Sequence, residues 1–363
     1  MFVESKCIAV VGAGVNGVSI ATASAAMGHS VTLYDARMPF AETSNASSRM
    51  LHGGIRYLEQ GHIGLVREAL LERDEWQQFS PDATRVERFY FPVFADSPRG
   101  KWVLFAGTLL YQWLAGRFSV GRSQLHSASD IQATFPNLVS NGLQGGASYC
   151  DVVMEYELLA QQLVSEAIDK GVTLKNETSV QKISTDGEVL VNDGSVKFDR
   201  VVNATGPWAA CLLEHSGIES EYTIEHVRGS HLILNYSLDH ALVLQAPDDR
   251  RIIFVIPLNA KQVLLGTTEE QHDLTKPIVC SDAETRYLLA ILNRYLRDPI
   301  DTSAIESTFS GVRPIVRKRK DTLGDVSAAS RDSEIEVYDR LVNVFGGKWT
   351  SARHLGNEVA KLL

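Results

Sequence analysis

The first 35 residues carry the pattern that most constrains the fold. Cys7 to Val11 is a short apolar run, the next six residues read GAGVNG and match GxGxxG, and an Ala-rich stretch follows from Ser19 to Met27. Ser30 to Asp35 (SVTLYD) predicts a second strand with an acid at its end. In such a unit the glycines permit a tight turn, a close approach to a pyrophosphate, and packing of the helix on the strand. We therefore predict a Rossmann-like nucleotide site that includes Gly12, Gly14, Gly17 and Asp35.

Length and composition restrict the class of protein. A chain of 363 residues has room for two domains, and 44% hydrophobic with 22% charged residues is ordinary for a soluble enzyme. The net charge of −9 argues against nucleic-acid binding. Four scattered cysteines without a CxxC pair or a His cluster predict no disulfide framework and no metal site, and no secretion signal is visible. We expect a cytoplasmic protein.

The rest of the chain predicts two interleaved domains. Helical patterns cover 65–79, 156–170 and 349–363, whereas 223–268 consists of short β-runs that predict an antiparallel sheet. We predict an α/β fold, with a parallel-sheet nucleotide-binding domain interleaved with an α+β substrate domain built on an antiparallel sheet. The predicted ranges are 1–85, 145–222 and 336–363 for the first domain, and 86–144 and 223–335 for the second.

One segment departs from this pattern. Trp102 to Trp113 (WVLFAGTLLYQW) is apolar and is flanked by Arg99, Lys101 and Arg117. It is too short to span a bilayer, which requires roughly 20 residues. Aromatic ends with basic flanks are typical of a membrane-interface helix, so peripheral membrane contact through 99–117 is one interpretation. A buried helix is the other, and it is the one that we favour.

A polar loop after the nucleotide unit indicates which cofactor is bound. Thr43 to Glu59 reads TSNASSRMLHGGIRYLE, with small polar residues, a Gly-Gly pair, a His and two Arg. A nicotinamide enzyme usually continues with another strand and helix instead. This composition suits a backbone laid along a flavin, with cationic side chains facing a substrate.

The chain resembles the FAD-dependent glycerol-3-phosphate dehydrogenases, within the D-amino-acid-oxidase-like flavoprotein superfamily. Besides VVGAGVNG and the polar loop, the matching motifs are VNATGPWA at Val202–Ala209, RGSHLIL at Arg228–Leu234, SGVRP at Ser310–Pro314 and GGKWTSAR at Gly346–Arg353. They occur in the family's order and cover the chain nearly end to end.

The resemblance implies FAD-dependent oxidation of sn-glycerol 3-phosphate to dihydroxyacetone phosphate, with electrons passing to a quinone or another acceptor. It also implies roles for individual residues. His231 is the expected proton acceptor, since imidazole titrates near working pH. Several cations suit a phosphate monoester. The resemblance places Arg56, Tyr57, Arg313 and Lys348 at the substrate. The charge run 317–320 extends this set, and from it we expect Arg319 to bind the substrate, the alternative being a solvated turn. Thr350 is a further expected binding residue.

The expected FAD contacts follow the same motifs. The amide groups at the start of the last helix would favour the negative charge that reduction places on the flavin. Val180 has two interpretations, a backbone contact to adenine or ordinary strand core. The predicted cofactor residues are Gly12, Gly14, Gly17, Asp35, Ser44, Ser47, Ser48, Gly53, Gly54, Val180, Gly206 and Gly347.

The resemblance has gaps that leave the substrate open. Family members usually continue past the GGK motif into a helical C-terminal domain, whereas this sequence stops 15 residues after Lys348. Met154 and Glu155 stand where the family tends to have two acids. Arginines bind carboxylates as well as phosphates, so oxidation of a 2-hydroxy acid or an amine is an alternative. A flavin-binding sensor without turnover is a third hypothesis.

Overall fold

The computed structural model describes residues 4–319 and 333–363. Its helices are α1 (Val15–Ala26), α2 (Ile63–Phe79), α3 (Lys101–Ala115), α4 (Ala128–Thr134), α5 (Tyr156–Asp169), α6 (Ala209–His215), α7 (Asp282–Tyr295) and α8 (Ala352–Ala360). Its strands are β1 (Cys7–Val11), β2 (Ser30–Tyr34), β3 (Met50–Leu51), β4 (Thr84–Phe94), β5 (Gln124–His126), β6 (Leu143–Met154), β7 (Thr173–Lys175), β8 (Val180–Ile183), β9 (Glu188–Val191), β10 (Gly194–Lys197), β11 (Arg200–Asn203), β12 (Tyr222–Leu234), β13 (Ala241–Gln245), β14 (Ile252–Asn259), β15 (Gln262–Gly266), β16 (Glu270–Gln271), β17 (Ile305–Lys318), β18 (Glu334–Tyr338) and β19 (Leu341–Phe345).

A six-stranded sheet forms the base of the nucleotide site. Its order is β18-β19-β11-β1-β2-β7, and all pairs are parallel except β18 with β19. The apolar runs of β1, β11 and β19 are buried because helices such as α1 and α8 cover the sheet. The carboxyl ends of β1 and β11 meet at one edge, where α/β sheets bind ligands.

A larger sheet of ten strands stands beside it. Its order is β16-β12-β15-β14-β13-β4-β6-β3, with β17 paired to β12 and β5 to β6. All pairs are antiparallel except β13 with β4. The longest pairing joins β12 to β17 over residues 222–234 and 305–318. This pairing carries the RGSH and GVRP motifs side by side, although about 80 residues separate them in sequence.

The predicted fold class is confirmed. The parallel sheet with its helices and the separate antiparallel sheet are both present. Predicted helices at 65–79, 156–170 and 349–363 correspond to α2, α5 and the shorter α8. The domain boundaries stay a prediction. We note that β6, inside the range predicted for the nucleotide-binding domain, hydrogen-bonds in the ten-stranded sheet.

The segment 102–113 is a helix, but it is not the buried helix that we favoured. One face of α3 is buried through Thr108, Tyr111 and Ala115. The opposite face exposes Trp102 at 65% and Trp113 at 74% of their surface. Segment 102–113 has more apolar residues than one buried helix face can hold, so the remaining ones form an exposed stripe. Among the described residues, no helix has both the length and the apolar character needed to cross a bilayer.

Candidate functional site

One large pocket lies where the two sheets meet, with a volume of about 1330 Å³. Most residues predicted from the sequence to form a site line this pocket. They are Gly12, Gly14, Asp35, Ser44, Ser47, Ser48, Gly54, Arg56, Tyr57, Val180, Gly206, His231, Arg313, Gly347, Lys348 and Thr350. The structure therefore brings residues that are far apart in sequence to one cavity. The volume of this cavity exceeds that of ordinary small-ligand pockets.

The glycine turn after β1 forms one end of the pocket. Gly12 has φ +102°, and a Cβ there would lie 2.5 Å from the carbonyl oxygen of Ala204, so only glycine fits. A Cβ on Gly17 would lie 1.7 Å from the carbonyl oxygen of Gly12, which explains the close helix packing. Gly17 itself does not line the pocket. The turn thus brings the start of α1 to the pocket, and helix N-termini favour bound anions.

Asp35 and Ser44 form hydrogen bonds with the glycine turn at this end of the pocket. Asp35 Oδ2 accepts a hydrogen bond from the backbone N–H of Ala13 at 2.6 Å. Ser44 Oγ accepts one from the N–H of Val15 at 3.0 Å, so a serine of the polar loop contacts the first turn of α1. Trp349 Nε1 donates to the carbonyl of Ser44 at 2.8 Å. The polar loop is therefore held between the glycine turn and the segment before α8.

Asn16 presents a buried acceptor at the pocket that a polar cofactor would satisfy. Its Nδ2 donates to the carbonyl of Gly346 at 3.0 Å, whereas its buried Oδ1 has no hydrogen-bond partner within the described residues. A buried acceptor without a partner is costly, so a ligand that donates there would satisfy it. A Cβ on Gly347, which has φ +89°, would lie 2.3 Å from Asn16 Nδ2. Asn16 was not among the residues predicted from the sequence, because the x positions of GxGxxG carry no signal.

His231 lies at the pocket wall in β12. Across the sheet it faces Gly266 on β15, where a Cβ would lie 2.3 Å from the imidazole Cδ2, and it stacks on Phe309 of β17 at 4.9 Å between ring centroids. Its Nε2 lies 2.9 Å from Ser48 Oγ, and its Nδ1 has no partner in the part of the chain described. Burial, together with Arg313 and Arg49, lowers the pKa of His231 to about 3. The ring is therefore neutral at pH 7, but its pKa lies well below working pH, contrary to the basis on which His231 was expected to be the proton acceptor.

Cationic side chains approach the same cavity from three elements. Arg313 of β17 donates to Thr267 Oγ1 at 2.9 Å and to the carbonyl of Thr268 at 3.3 Å. The Lys348 ammonium lies 4.8 Å from the ring centroid of Tyr57. Arg56 lies in the 3₁₀ turn Ile55–Gln60. These cations suit an anionic substrate, and Glu269, which also lines the pocket, lies 3.9 Å from Arg313.

Two other predicted residues do not line the cavity. Gly53 packs behind the wall, where a Cβ would lie 2.6 Å from Leu70 Cγ and 2.7 Å from the Tyr111 hydroxyl. Arg319 lies in an exposed turn after β17, and its backbone N–H donates to the carbonyl of Glu221 at 2.8 Å. Lys320, part of the same charge run, lies outside the described residues.

Two further pocket residues were not predicted. Burial lowers the pKa of His52, whose Nδ1 accepts a hydrogen bond from the N–H of Gly54 at 2.9 Å. Burial raises the pKa of Glu72 to about 7, and Glu72 lines the pocket from α2. The HGG motif could have indicated His52 from the sequence, whereas no sequence pattern distinguishes Glu72 from the other acidic residues of α2.

Known proteins are similar to this chain in sequence and in architecture. Residues 7–362 match the family described as FAD dependent oxidoreductase. The glycerol-3-phosphate dehydrogenase of Pseudomonas aeruginosa is 32% identical over 366 residues, which cover 96% of this chain and 69% of that protein. The solved glycerol-3-phosphate dehydrogenase of Bacillus halodurans, complexed with FAD, superposes with a TM-score of 0.77 at 21% identity. The match covers all of this chain, which spans 65% of the length of that one. Glycine oxidase from Bacillus cereus superposes with a TM-score of 0.71 at 18% identity, covering 99% and 94% of the two chains.

Proposed function

The chain belongs to the family of FAD-dependent oxidoreductases, and from this premise we propose that it oxidises sn-glycerol 3-phosphate to dihydroxyacetone phosphate. Bound FAD would supply the hydride acceptor for the substrate's C2 hydrogen. The observation that carries the proposal is the combination, in one pocket, of the neutral His231 with Arg56, Arg313 and Lys348. Neutral imidazole takes the hydroxyl proton, and the three cations bind the phosphate.

The charges favour a phosphate over a carboxylate. A phosphate monoester carries nearly two negative charges at neutral pH, whereas a carboxylate carries one and is held well by a single Arg fork. Arg56, Arg313 and Lys348 line this pocket, together with Arg37 near Asp35. The relative from P. aeruginosa at 32% identity is a glycerol-3-phosphate dehydrogenase, which supports the phosphate.

FAD would lie along the residues already placed at the pocket. Gly12, Gly14 and the start of α1 would hold the pyrophosphate, and Asp35 the adenosine ribose. Ser44, Ser47 and Ser48 would line the path toward the flavin. Gly206, Gly347 and Thr350 would approach the ring, and Val180 the adenine.

Anaerobic reduction of the purified, yellow protein tests the substrate. Glycerol 3-phosphate should bleach the flavin absorbance, whereas glycerol at the same concentration should not, because it lacks the charged group. Bleaching by 2-hydroxyglutarate or an amino acid, but not by glycerol 3-phosphate, would show that the anion is a carboxylate. Bleaching by no donor in the panel would support a flavin-binding sensor.

We also propose that α3 binds an anionic membrane surface, from which a quinone would accept the electrons. Its exposed face carries Trp102, Val103, Leu109, Leu110 and Trp113 as one stripe. Between Asp96 and Asp130 the chain has no acidic residue and four cations, although its net charge is −9. Arg99 pairs with Glu59, which leaves Lys101, Arg117 and Arg122 for an anionic surface. Apolar side chains next to such cations are typical of interfacial helices.

Cosedimentation with vesicles tests this contact. Wild-type protein should pellet with vesicles of phosphatidylglycerol and less with vesicles of phosphatidylcholine. Replacing both Trp102 and Trp113 by Ser should abolish pelleting. The control is Val279→Ser, which removes an exposed apolar residue, 59% accessible, from a different surface. Equal pelleting of wild type and double variant would contradict the proposal.

A further inference from the structure

A buried ion pair lies behind the wall of the pocket. Arg73 of α2 donates to Asp151 Oδ1 of β6 at 3.1 Å, and each side chain is 1% exposed. Arg73 also donates to the carbonyl of Phe118 at 2.6 Å, and Asp151 accepts from the N–H of Val152 at 3.1 Å. Burying two charges is costly, and replacing the pair by apolar residues is often neutral or stabilising. Stability alone therefore does not explain this pair.

Tyr111 links the pair to the pocket. Its hydroxyl donates to Asp151 Oδ2 at 2.7 Å and accepts from the backbone N–H of Gly53 at 2.7 Å. Burial and the negative charge of Asp151 raise the pKa of Tyr111 well above its usual value, so the hydroxyl keeps its proton. The position of Gly53 requires glycine, because a Cβ there would lie 2.7 Å from this hydroxyl. A larger residue at position 53 would therefore not leave room for this contact.

The segment that donates this bond is the 52–57 loop, which ends in Arg56 and Tyr57. Its first three backbone N–H groups all donate to side chains. The N–H of His52 donates to Thr350 Oγ1 at 3.1 Å, that of Gly53 to Tyr111, and that of Gly54 to Nδ1 of His52. No backbone carbonyl holds these three groups within the described residues. The backbone of the loop is thus held by side chains from outside it, those of Thr350 and Tyr111.

We infer that Tyr111, held by Asp151 and Arg73, is a positioning residue that aims Arg56 at the substrate anion. The inference rests on the proposed function, because Arg56 acts only if the substrate is anionic. Removal of the Tyr111 hydroxyl leaves Gly53 without its acceptor and lets the loop turn away. Arg56 would bind the phosphate in the ground state and the transition state alike. Its displacement therefore raises KM more than it lowers kcat.

The test compares Tyr111→Phe with Tyr295→Phe in the FAD-loaded protein. Tyr295 of α7 is a matched control, because its buried hydroxyl also makes two bonds. It donates to the carbonyl of Gln245 at 2.6 Å and accepts from the N–H of that residue at 3.2 Å. It lies in the separate core around α7. KM for glycerol 3-phosphate is measured with kcat, and Kd for inorganic phosphate is measured without turnover, from perturbation of the flavin spectrum.

Tyr111→Phe should raise KM and the phosphate Kd about tenfold, with kcat within about twofold and FAD content unchanged. Tyr295→Phe should change neither constant. Unchanged constants in Tyr111→Phe, or equal rises in both variants, would overturn the inference. If Tyr111→Phe fails to hold FAD, the pair of changes Arg73→Gln and Asp151→Asn, which removes both charges and keeps a polar group at each position, should raise KM in the same direction. If a 2-hydroxy acid reduces the wild type instead, the proposed substrate is wrong, and the same comparison with that acid still tests Tyr111.

Discussion

Ser48 Oγ lies 2.9 Å from Nε2 of His231 and joins the polar loop to β12. The serine belongs to the stretch predicted to contact the flavin, and the histidine is the expected proton acceptor. The bond therefore sets the orientation of the imidazole relative to the cofactor. Because the pKa of His231 is about 3, the ring enters the reaction neutral.

Replacing His231 by Gln should slow flavin reduction by glycerol 3-phosphate about 100- to 10,000-fold, the usual contribution of a general base. FAD content should stay unchanged, because the amide keeps polarity at this position. Ser48→Ala should have a smaller effect, because it removes the hydrogen bond that orients the imidazole but leaves the imidazole itself in place. Stopped-flow absorbance under anaerobic conditions measures both rates. A wild-type rate in His231→Gln would exclude this histidine as the base.

Arg313→Gln should raise KM for glycerol 3-phosphate roughly 10- to 100-fold. A hydrogen bond to a charged group contributes about 1.5–3 kcal/mol, and each 1.4 kcal/mol is a factor of ten. Inorganic phosphate should inhibit the variant less strongly by a similar factor. Arg297→Gln is the control, because Arg297 is 65% exposed and pairs with its neighbour Asp298. The same KM in wild type and Arg313→Gln would show that another cation holds the anion.

The sequence alone predicted the fold class, FAD as cofactor and the oxidoreductase class, and these predictions are confirmed. The GxGxxG unit is local, so its geometry follows from neighbouring residues. The pairing of His231 with Ser48 is not local, and nothing in either motif specifies it. The exposure of α3 was missed because an apolar stretch does not show how much of its surface other elements cover. Tyr111 was missed for the same reason, since its partners Gly53 and Asp151 lie far away in sequence.

Gly347→Ala should deplete bound FAD, whereas Gly171→Ala should not. Both glycines have φ +89°, so each substitution adds a similar backbone strain of about 1–2 kcal/mol. Only at Gly347 would the new Cβ meet Asn16, at 2.3 Å, while Gly171 has open space around it. The ratio of flavin to protein absorbance gives the FAD content, and thermal unfolding gives the strain. Full FAD content in Gly347→Ala would show that the cofactor does not depend on this contact.

Acid should destabilise the fold through His231. Burial, Arg313 and Arg49 lower its pKa from 6.5 to about 3. Between these two pH values the unfolded chain binds a proton at this residue that the folded chain does not. The contribution to stability is therefore complete above about pH 6.5 and is lost as the pH falls toward 3, by at most about 1.4 kcal/mol per pH unit. Glutamine does not titrate, so between pH 5 and 7 the free energy of unfolding should depend less on pH in His231→Gln than in wild type. Urea unfolding followed by tryptophan fluorescence measures how the free energy of unfolding of each protein depends on pH. Titratable groups that both proteins share contribute equally, so the difference between the two slopes reports on His231. Equal slopes would mean that His231 titrates normally in the folded protein and is not buried against these arginines.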